Sequence, residues 1–138
     1  MSARLSSVFW TFTLVMAGRL EVFGAQPDPI RVVWADGRRS EVSEGQLKQS
    51  IISSKRPDYP IEARRARLSG AGVFVLNVDK RTGVVTSVDI ETSTGSKVLD
   101  GYATTAFNTW RFKPGVFLQV RMPSAFNMRR PENPWVFF

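Results

Sequence analysis

The clearest hydrophobic pattern in the chain is helical. Apolar residues recur in it at i, i+3, i+4, i+7, i+8 and i+11: Leu99, Tyr102, Ala103, Ala106, Phe107 and Trp110. This spacing puts all of them on one stripe of an α-helix. The pattern therefore predicts a helix that packs its apolar stripe against a sheet.

Two strands are predicted ahead of this helix. Side chains alternate along the first strand, from Val73 to Asp79, with one face formed by Phe74, Leu76 and Val78 and the other by Val73, Val75 and Asn77. Residues 80–83 form a turn that ends in glycine, and a return strand covers residues 84–92. Val85 is out of step with the apolar residues that follow it, which predicts a β-bulge at residues 86–87.

A third strand is predicted after the helix. Four apolar residues share one of its faces: Val116, Leu118, Val120 and Met122. The strand continues less regularly to Phe126, because Ser124 stands where the alternation requires an apolar residue. Proline has no N–H for a strand ladder, so Pro123 predicts a strand at the edge of the sheet, at least near that residue.

A short helix is predicted before the first strand. Pro57 and Pro60 favour extended backbone in the residues that precede them. Pro60 also suits the first turn of a helix, where its missing N–H has no effect. We expect this helix to continue to Leu68 and to end at Gly70 or Gly72.

These elements predict an α+β fold. Their order is helix, strand, strand, helix, strand, which fits a small three-stranded antiparallel sheet with two helices packed on one face, over residues 54–128. Residues 26–53 form an N-terminal extension with a hairpin that turns at Asp36-Gly37 and a short helix capped by Ser43 and Gln46. Residues 129–138 form an aromatic tail, which we expect to pack back onto the domain.

The first 25 residues predict export. Arg4 gives a positive start, and a mostly apolar stretch of about 14 residues follows. Crossing a bilayer needs roughly 20 residues. The small residues Gly24 and Ala25 suit a cleavage site. A cleaved signal peptide, an uncleaved anchor in the inner membrane and a cytoplasmic start remain as alternatives.

Composition excludes several kinds of chemistry. The chain has no cysteine and no histidine, so disulfides, thiol nucleophiles and histidine-based catalysis are absent. It also lacks a glycine-rich phosphate loop and a metal-spaced cluster. We therefore expect no catalytic residues, no metal site, no cofactor and no enzymatic activity. The formal net charge of +7 favours anionic partners, although the predicted export argues against nucleic acid.

An ordered set of residues resembles one known family. The set comprises Tyr59-Pro60, Ala63, Gly70, the turn at Gly83, Ser93-x-Gly95, Leu99-Asp100, Ala103, Ala106 and Trp110-x-Phe112-x-Pro114-Gly115. In this order they resemble the TonB C-terminal domain over roughly Ser54 to Met128. The resemblance implies a periplasmic module of Gram-negative bacteria. Such a module grips the TonB box, a short segment of outer-membrane receptors, by β-augmentation.

The resemblance also implies a binding site. The free edge of the third strand would receive the partner segment, and the residues around Tyr59 would lie beside it. The implied partner-binding residues are Lys55, Arg56, Pro57, Tyr59, Pro60, Val116, Leu118, Val120, Met122 and Phe126.

Two functions follow from the resemblance. The first is an exported, periplasmic module that binds an extended peptide of an envelope or outer-membrane transport protein by strand addition. The second is a short energy transducer, anchored in the inner membrane beside a motor complex, for TonB-dependent uptake. Only about 30 residues separate the apolar segment from the domain, a reach of roughly 100 Å when fully extended, which favours the first. A homodimer through the third strand is a further expectation.

Overall fold

The computed structural model describes residues 28–127 and the backbone of residues 135–137. The predicted signal or anchor at residues 1–25 therefore lies outside the described residues, as does most of the predicted tail. The described helices are α1 (Glu44–Gln49), α2 (Ile61–Arg65) and α3 (Lys97–Asn108). The described strands are β1 (Ile30–Trp34), β2 (Arg39–Val42), β3 (Ile51–Ser53), β4 (Gly70–Val78), β5 (Val85–Thr92), β6 (Arg111–Phe112), β7 (Phe117–Phe126) and β8 (Trp135–Phe137). Among these helices, none is long and apolar enough to span a membrane.

The predicted α+β class is confirmed, but the three-stranded sheet is wrong. The main sheet is antiparallel and has the order β2-β1-β7-β4-β5, with β8 also paired to β7. A second, two-stranded sheet joins β3 to β6. The additional strands of the main sheet come from the extension and the tail, which lie outside the predicted domain of residues 54–128.

The extension folds as its sequence predicts. Its hairpin turns at Gly37, which has a φ of 88°, a conformation that glycine adopts without steric cost. Helix α1 begins with a complete capping box. The Gln46 N–H donates to the Ser43 hydroxyl at 3.2 Å, and the Gln46 side chain accepts from the Ser43 N–H at 2.8 Å.

The core lies between the sheet and α3. The face of β4 formed by Phe74, Leu76 and Val78 is buried there, and the Phe74 ring meets the Phe107 ring with centroids 5.5 Å apart. Phe107 in turn packs on Trp110 at 5.1 Å. Tyr102 is an exception within the predicted stripe, because 40% of its surface is exposed. The stripe is therefore narrower than its periodicity indicated.

Two local predictions have different outcomes. The bulge in β5 is confirmed, since Asn77 pairs with Ser87 and Val78 with Val85, which leaves Thr86 as the extra residue. Helix α2 ends at Arg65 rather than at Leu68. Arg67 follows with a positive φ of 51°, which a right-handed helix does not accommodate.

Candidate functional site

Strand β7 lies inside the main sheet. On one side it pairs with β4 from Gln119 to Phe126. On its other side, called here the outer edge, two short strands pair with it. Strand β1 covers residues 117–121, and β8 covers residues 124–126. The expectation of a free edge along the third strand is therefore wrong for both stretches.

The physical reason lies in the backbone. A ten-residue strand with a bare edge would expose a row of unpaired N–H and C=O groups to other chains. The chain's own extension and tail pair with these groups instead. The expectation that the tail returns to the domain is confirmed for the backbone of residues 135–137.

Met122 and Pro123 separate the two stretches. The described residues provide no outer strand partner for either of them. Pro123 has no N–H to donate, so a break in the ladder costs less there than at other residues. The prediction of a local edge at Pro123 is confirmed for this two-residue gap.

The predicted side chains of the third strand differ in their access to solvent. Val120, Met122 and Phe126 are buried in the core, with at most 2% of their surface exposed. Leu118 is half-buried, and Val116 lies in the turn before the strand. A partner at this edge would therefore meet the β7 backbone rather than these buried side chains.

Sequence reasoning missed Phe117. It is buried and packs edge-on against Phe112, with ring centroids 5.5 Å apart. The pairing of β1 with β7 shifts register between Val33 and Trp34, next to this residue. Because the shift depends on a strand that is distant in sequence, the alternation of β7 alone gave no sign of it.

The segment before α2 is fixed beside the carboxyl-terminal end of β7. The Tyr59 ring lies 5.8 Å from the Phe126 ring, and the Tyr59 hydroxyl donates to the Leu68 carbonyl. The Arg64 guanidinium lies over the Tyr59 ring at 5.6 Å. Burial raises the pKa of Tyr59, and the positive charge of Arg64 opposes this shift.

The remaining predicted residues lie along the same segment. Pro57 and Pro60 are buried, whereas Lys55 and Arg56 are exposed. The Lys55 carbonyl accepts a hydrogen bond of 2.8 Å from the Trp110 indole. The structure thus brings the Tyr59 segment and the end of β7 together, and it leaves the basic side chains of this segment at the surface.

Ser124 is a polar residue at a position of β7 where the alternation requires an apolar one. It lies on the core-facing side of β7, between Met122 and Phe126, and 1% of its surface is exposed. Within the described part of the chain its hydroxyl has no hydrogen-bond partner. The sequence showed the irregular position but not the burial.

The opposite face of the sheet is polar. Arg121 contacts Glu91 at 2.7 Å and Asp28 at 3.5 Å. The Gln119 amide donates to Asn77, which in turn donates to Asp89. The Asp28 contact connects the start of the extension to β7. Across residues 28–127 and 135–137, no group of three or more acidic side chains is placed to hold a metal ion.

One comparison with known proteins bears on this site. The family model described as Gram-negative bacterial TonB protein C-terminal matches residues 55–128, more than half of the chain. The match covers α2, β4, β5, α3 and β7. A search of curated proteins found no match.

Proposed function

Because the chain belongs to the TonB C-terminal family, we propose that it binds an extended peptide from an outer-membrane receptor or another envelope transport protein. The peptide adds a strand to the outer edge of β7. Domains of this family are associated with envelope transport and are not enzymes. Backbone hydrogen bonds would give the affinity of such a contact, and neighbouring side chains would give its selectivity.

The observation that carries this proposal is that β1 and β8, the two strands paired with the outer edge, are held in the fold to different extents. Strand β1 belongs to a hairpin with β2, and its Ile30 and Val32 are buried in the core. Strand β8 pairs with β7 through three residue pairs and with no other described strand. Displacing β8 therefore breaks fewer contacts, and we propose that the peptide takes its place at residues 124–126.

The surroundings of this stretch support the same position. Tyr59 packs on Phe126, the last residue of β7, so the segment from Lys55 to Pro60 lies beside the proposed peptide. Lys55 and Arg56 are exposed in that segment. Their positive charges would favour a peptide with acidic residues near this end.

An engineered disulfide tests the proposal directly, because the chain has no cysteine of its own. Ala125 and Val136 are opposite each other in the register of β7 and β8. The two Cα atoms of such a pair are about 4.5–5.5 Å apart, within the range of a disulfide. The double variant Ala125→Cys/Val136→Cys therefore locks β8 when oxidised and releases it when reduced.

The probe is a nine-residue peptide selected from a random display library on the full wild-type chain and measured by fluorescence anisotropy. We expect the oxidised lock to abolish binding and reduction to restore it. The control, Val33→Cys/Arg39→Cys, locks the β1–β2 hairpin instead and should bind in both states. Equal binding by the oxidised and reduced forms of the β8 lock would rule out exchange at this edge.

Location decides between the two functions given by the sequence. We propose an exported periplasmic protein, with the anchored energy transducer and its motor complex as the alternative. Mass spectrometry of the protein from fractionated cells of the native host separates them. A soluble species that begins near Ala25 supports the periplasmic module, and an intact Met1 in the inner-membrane fraction supports the transducer.

A homodimer through the third strand requires the same displacement of β8, because the outer edge of β7 is covered in the described chain. Light scattering of the reduced and oxidised lock tests this form of self-association. We expect any dimer through this edge to disappear on oxidation. A dimer that persists in the oxidised lock uses another surface.

A further inference from the structure

The hydroxyl of Ser124 is an exception in the core. It is buried, and no described residue forms a hydrogen bond with it. Buried hydroxyl groups in folded proteins are nearly always paired, because an unpaired one loses its hydrogen bonds to water without replacement. An unpaired hydroxyl beside a proposed binding edge therefore requires an explanation.

The residues opposite Ser124 across the sheet offer its hydroxyl no side-chain partner. On the β4 side it is opposite Gly72, which has no side chain. On the outer side it is opposite Phe137 of β8. A phenylalanine side chain has neither a donor nor an acceptor. Neither strand therefore has a polar residue in register with Ser124.

The outer position changes when β8 is exchanged for a peptide. Side chains directly opposite each other in antiparallel strands have Cβ atoms about 4.5–5.5 Å apart, and Thr–Ser pairs in this arrangement form hydrogen bonds. We propose that Ser124 is a specificity residue, which selects peptides with a hydroxyl side chain, above all threonine, at the position opposite it. This inference rests on the proposed exchange of β8.

Threonine suits this position for two reasons. Its β-branched side chain favours extended backbone, and its hydroxyl both donates to and accepts from another hydroxyl. Valine has nearly the same shape without the hydroxyl. The preference for threonine over valine therefore isolates the hydrogen bond from packing.

The experiment scans the peptide selected on the full wild-type chain. Each position is replaced in turn by threonine and by valine, and the dissociation constants are compared. We expect one position at which threonine binds about fivefold more tightly than valine, as one net hydrogen bond implies. In Ser124→Ala this ratio should fall to about one. The control Ser87→Ala, which removes a hydroxyl from β5, should preserve the ratio.

A second measurement applies the same comparison within the chain. Phe137→Thr and Phe137→Val place the two isosteric side chains opposite Ser124 in the resident strand. We expect the threonine variant to hold β8 more tightly and so to bind the peptide several-fold more weakly than the valine variant. Adding Ser124→Ala to each should remove this difference.

The outcomes separate the inference from the function on which it rests. Peptides that require release of β8 but show equal threonine and valine affinities at every position overturn the role of Ser124 and leave the docking edge intact. A threonine preference that survives Ser124→Ala also overturns it. Binding that is unaffected by the β8 lock overturns both proposals.

Discussion

Asp100 stabilises the connection between β5 and α3, and replacing it by asparagine tests how. Asp100 lies in the first turn of α3 with 7% of its surface exposed. Its Oδ1 accepts from the Thr94 N–H at 2.9 Å and from the Thr94 hydroxyl at 2.7 Å. Its Oδ2 accepts from the Ser93 hydroxyl. The carboxylate thus fixes the loop that leads into the helix.

The expected loss follows from these three bonds. A hydrogen bond to a charged group contributes about 1.5–3 kcal/mol, and a neutral one about 1 kcal/mol. Asp100→Asn keeps an acceptor for Thr94 but removes the charge, so we expect the free energy of unfolding to fall by about 2 kcal/mol. Asp100→Ala also leaves the buried Thr94 N–H without its acceptor, so its loss should reach about 4 kcal/mol.

The effect should depend on pH. Burial alone would raise the pKa of Asp100, but the hydrogen bonds from Ser93 and Thr94 outweigh it and hold the pKa below its ordinary value of 3.8. A lowered pKa in the folded state means that the carboxylate stabilises the fold above pH 3.8. This stability is lost as the pH falls through the pKa of the folded state.

Urea unfolding of the full chain at pH 7 and at acidic pH measures both effects. The difference between wild type and Asp100→Asn should be largest at pH 7 and should shrink as the carboxyl protonates. The control is Asp89→Asn, an exposed carboxyl on β5, with an expected change within about 0.5 kcal/mol. A difference that stays constant down to the lowest pH would contradict the role assigned to the charge.

Two further predictions concern the backbone. Trp110→Phe removes the indole N–H that donates to the Lys55 carbonyl. It should lower the free energy of unfolding by about 1 kcal/mol and speed amide hydrogen exchange around Lys55. Unchanged exchange there would show that this hydrogen bond does not hold the segment in place. Gly83 has a φ of 76°, and a Cβ there would lie 1.8 Å from the Phe112 carbonyl oxygen, so Gly83→Ala should cost about 3 kcal/mol or more. The control is Gly37, which has a φ of 88° but nothing within 4 Å of its Cβ position, so Gly37→Ala should cost about 1–2 kcal/mol. If thermal unfolding shows similar losses for Gly83→Ala and Gly37→Ala, the close approach at Gly83 does not matter.

The parts of the fold that the sequence predicted are those that local spacing determines. The stripe of α3, the two faces of β4 and the bulge in β5 each follow from residues close together in the chain. Tyr102 is the exception, because periodicity gives the direction of a side chain but not how far the sheet extends beneath it.

The outer edge of β7 could not be predicted in this way. The turn signal at Asp36-Gly37 indicated a hairpin, but not that its first strand would pair with residues 117–121. Such pairings join segments that are far apart in sequence, and hydrophobic alternation does not specify the partner. For the same reason, the irregular position of Ser124 was visible in the sequence, while the burial of its hydroxyl without a partner was visible only in the folded structure.

The strands paired with the outer edge of β7 determine the free energy needed for the proposed exchange. Cross-strand pairs contribute about 0.2–1 kcal/mol each, so the three pairs of β8 amount to roughly 0.6–3 kcal/mol. Releasing β8 would then weaken the apparent affinity for a peptide by about threefold to 150-fold. Strand β1 is held by its hairpin and by buried side chains, so the cost of displacing it is larger. A peptide that gains a hydrogen bond at Ser124 offsets part of the free energy needed to release β8. A peptide with an apolar residue at that position does not. This difference in binding free energy is the basis of the proposed selectivity.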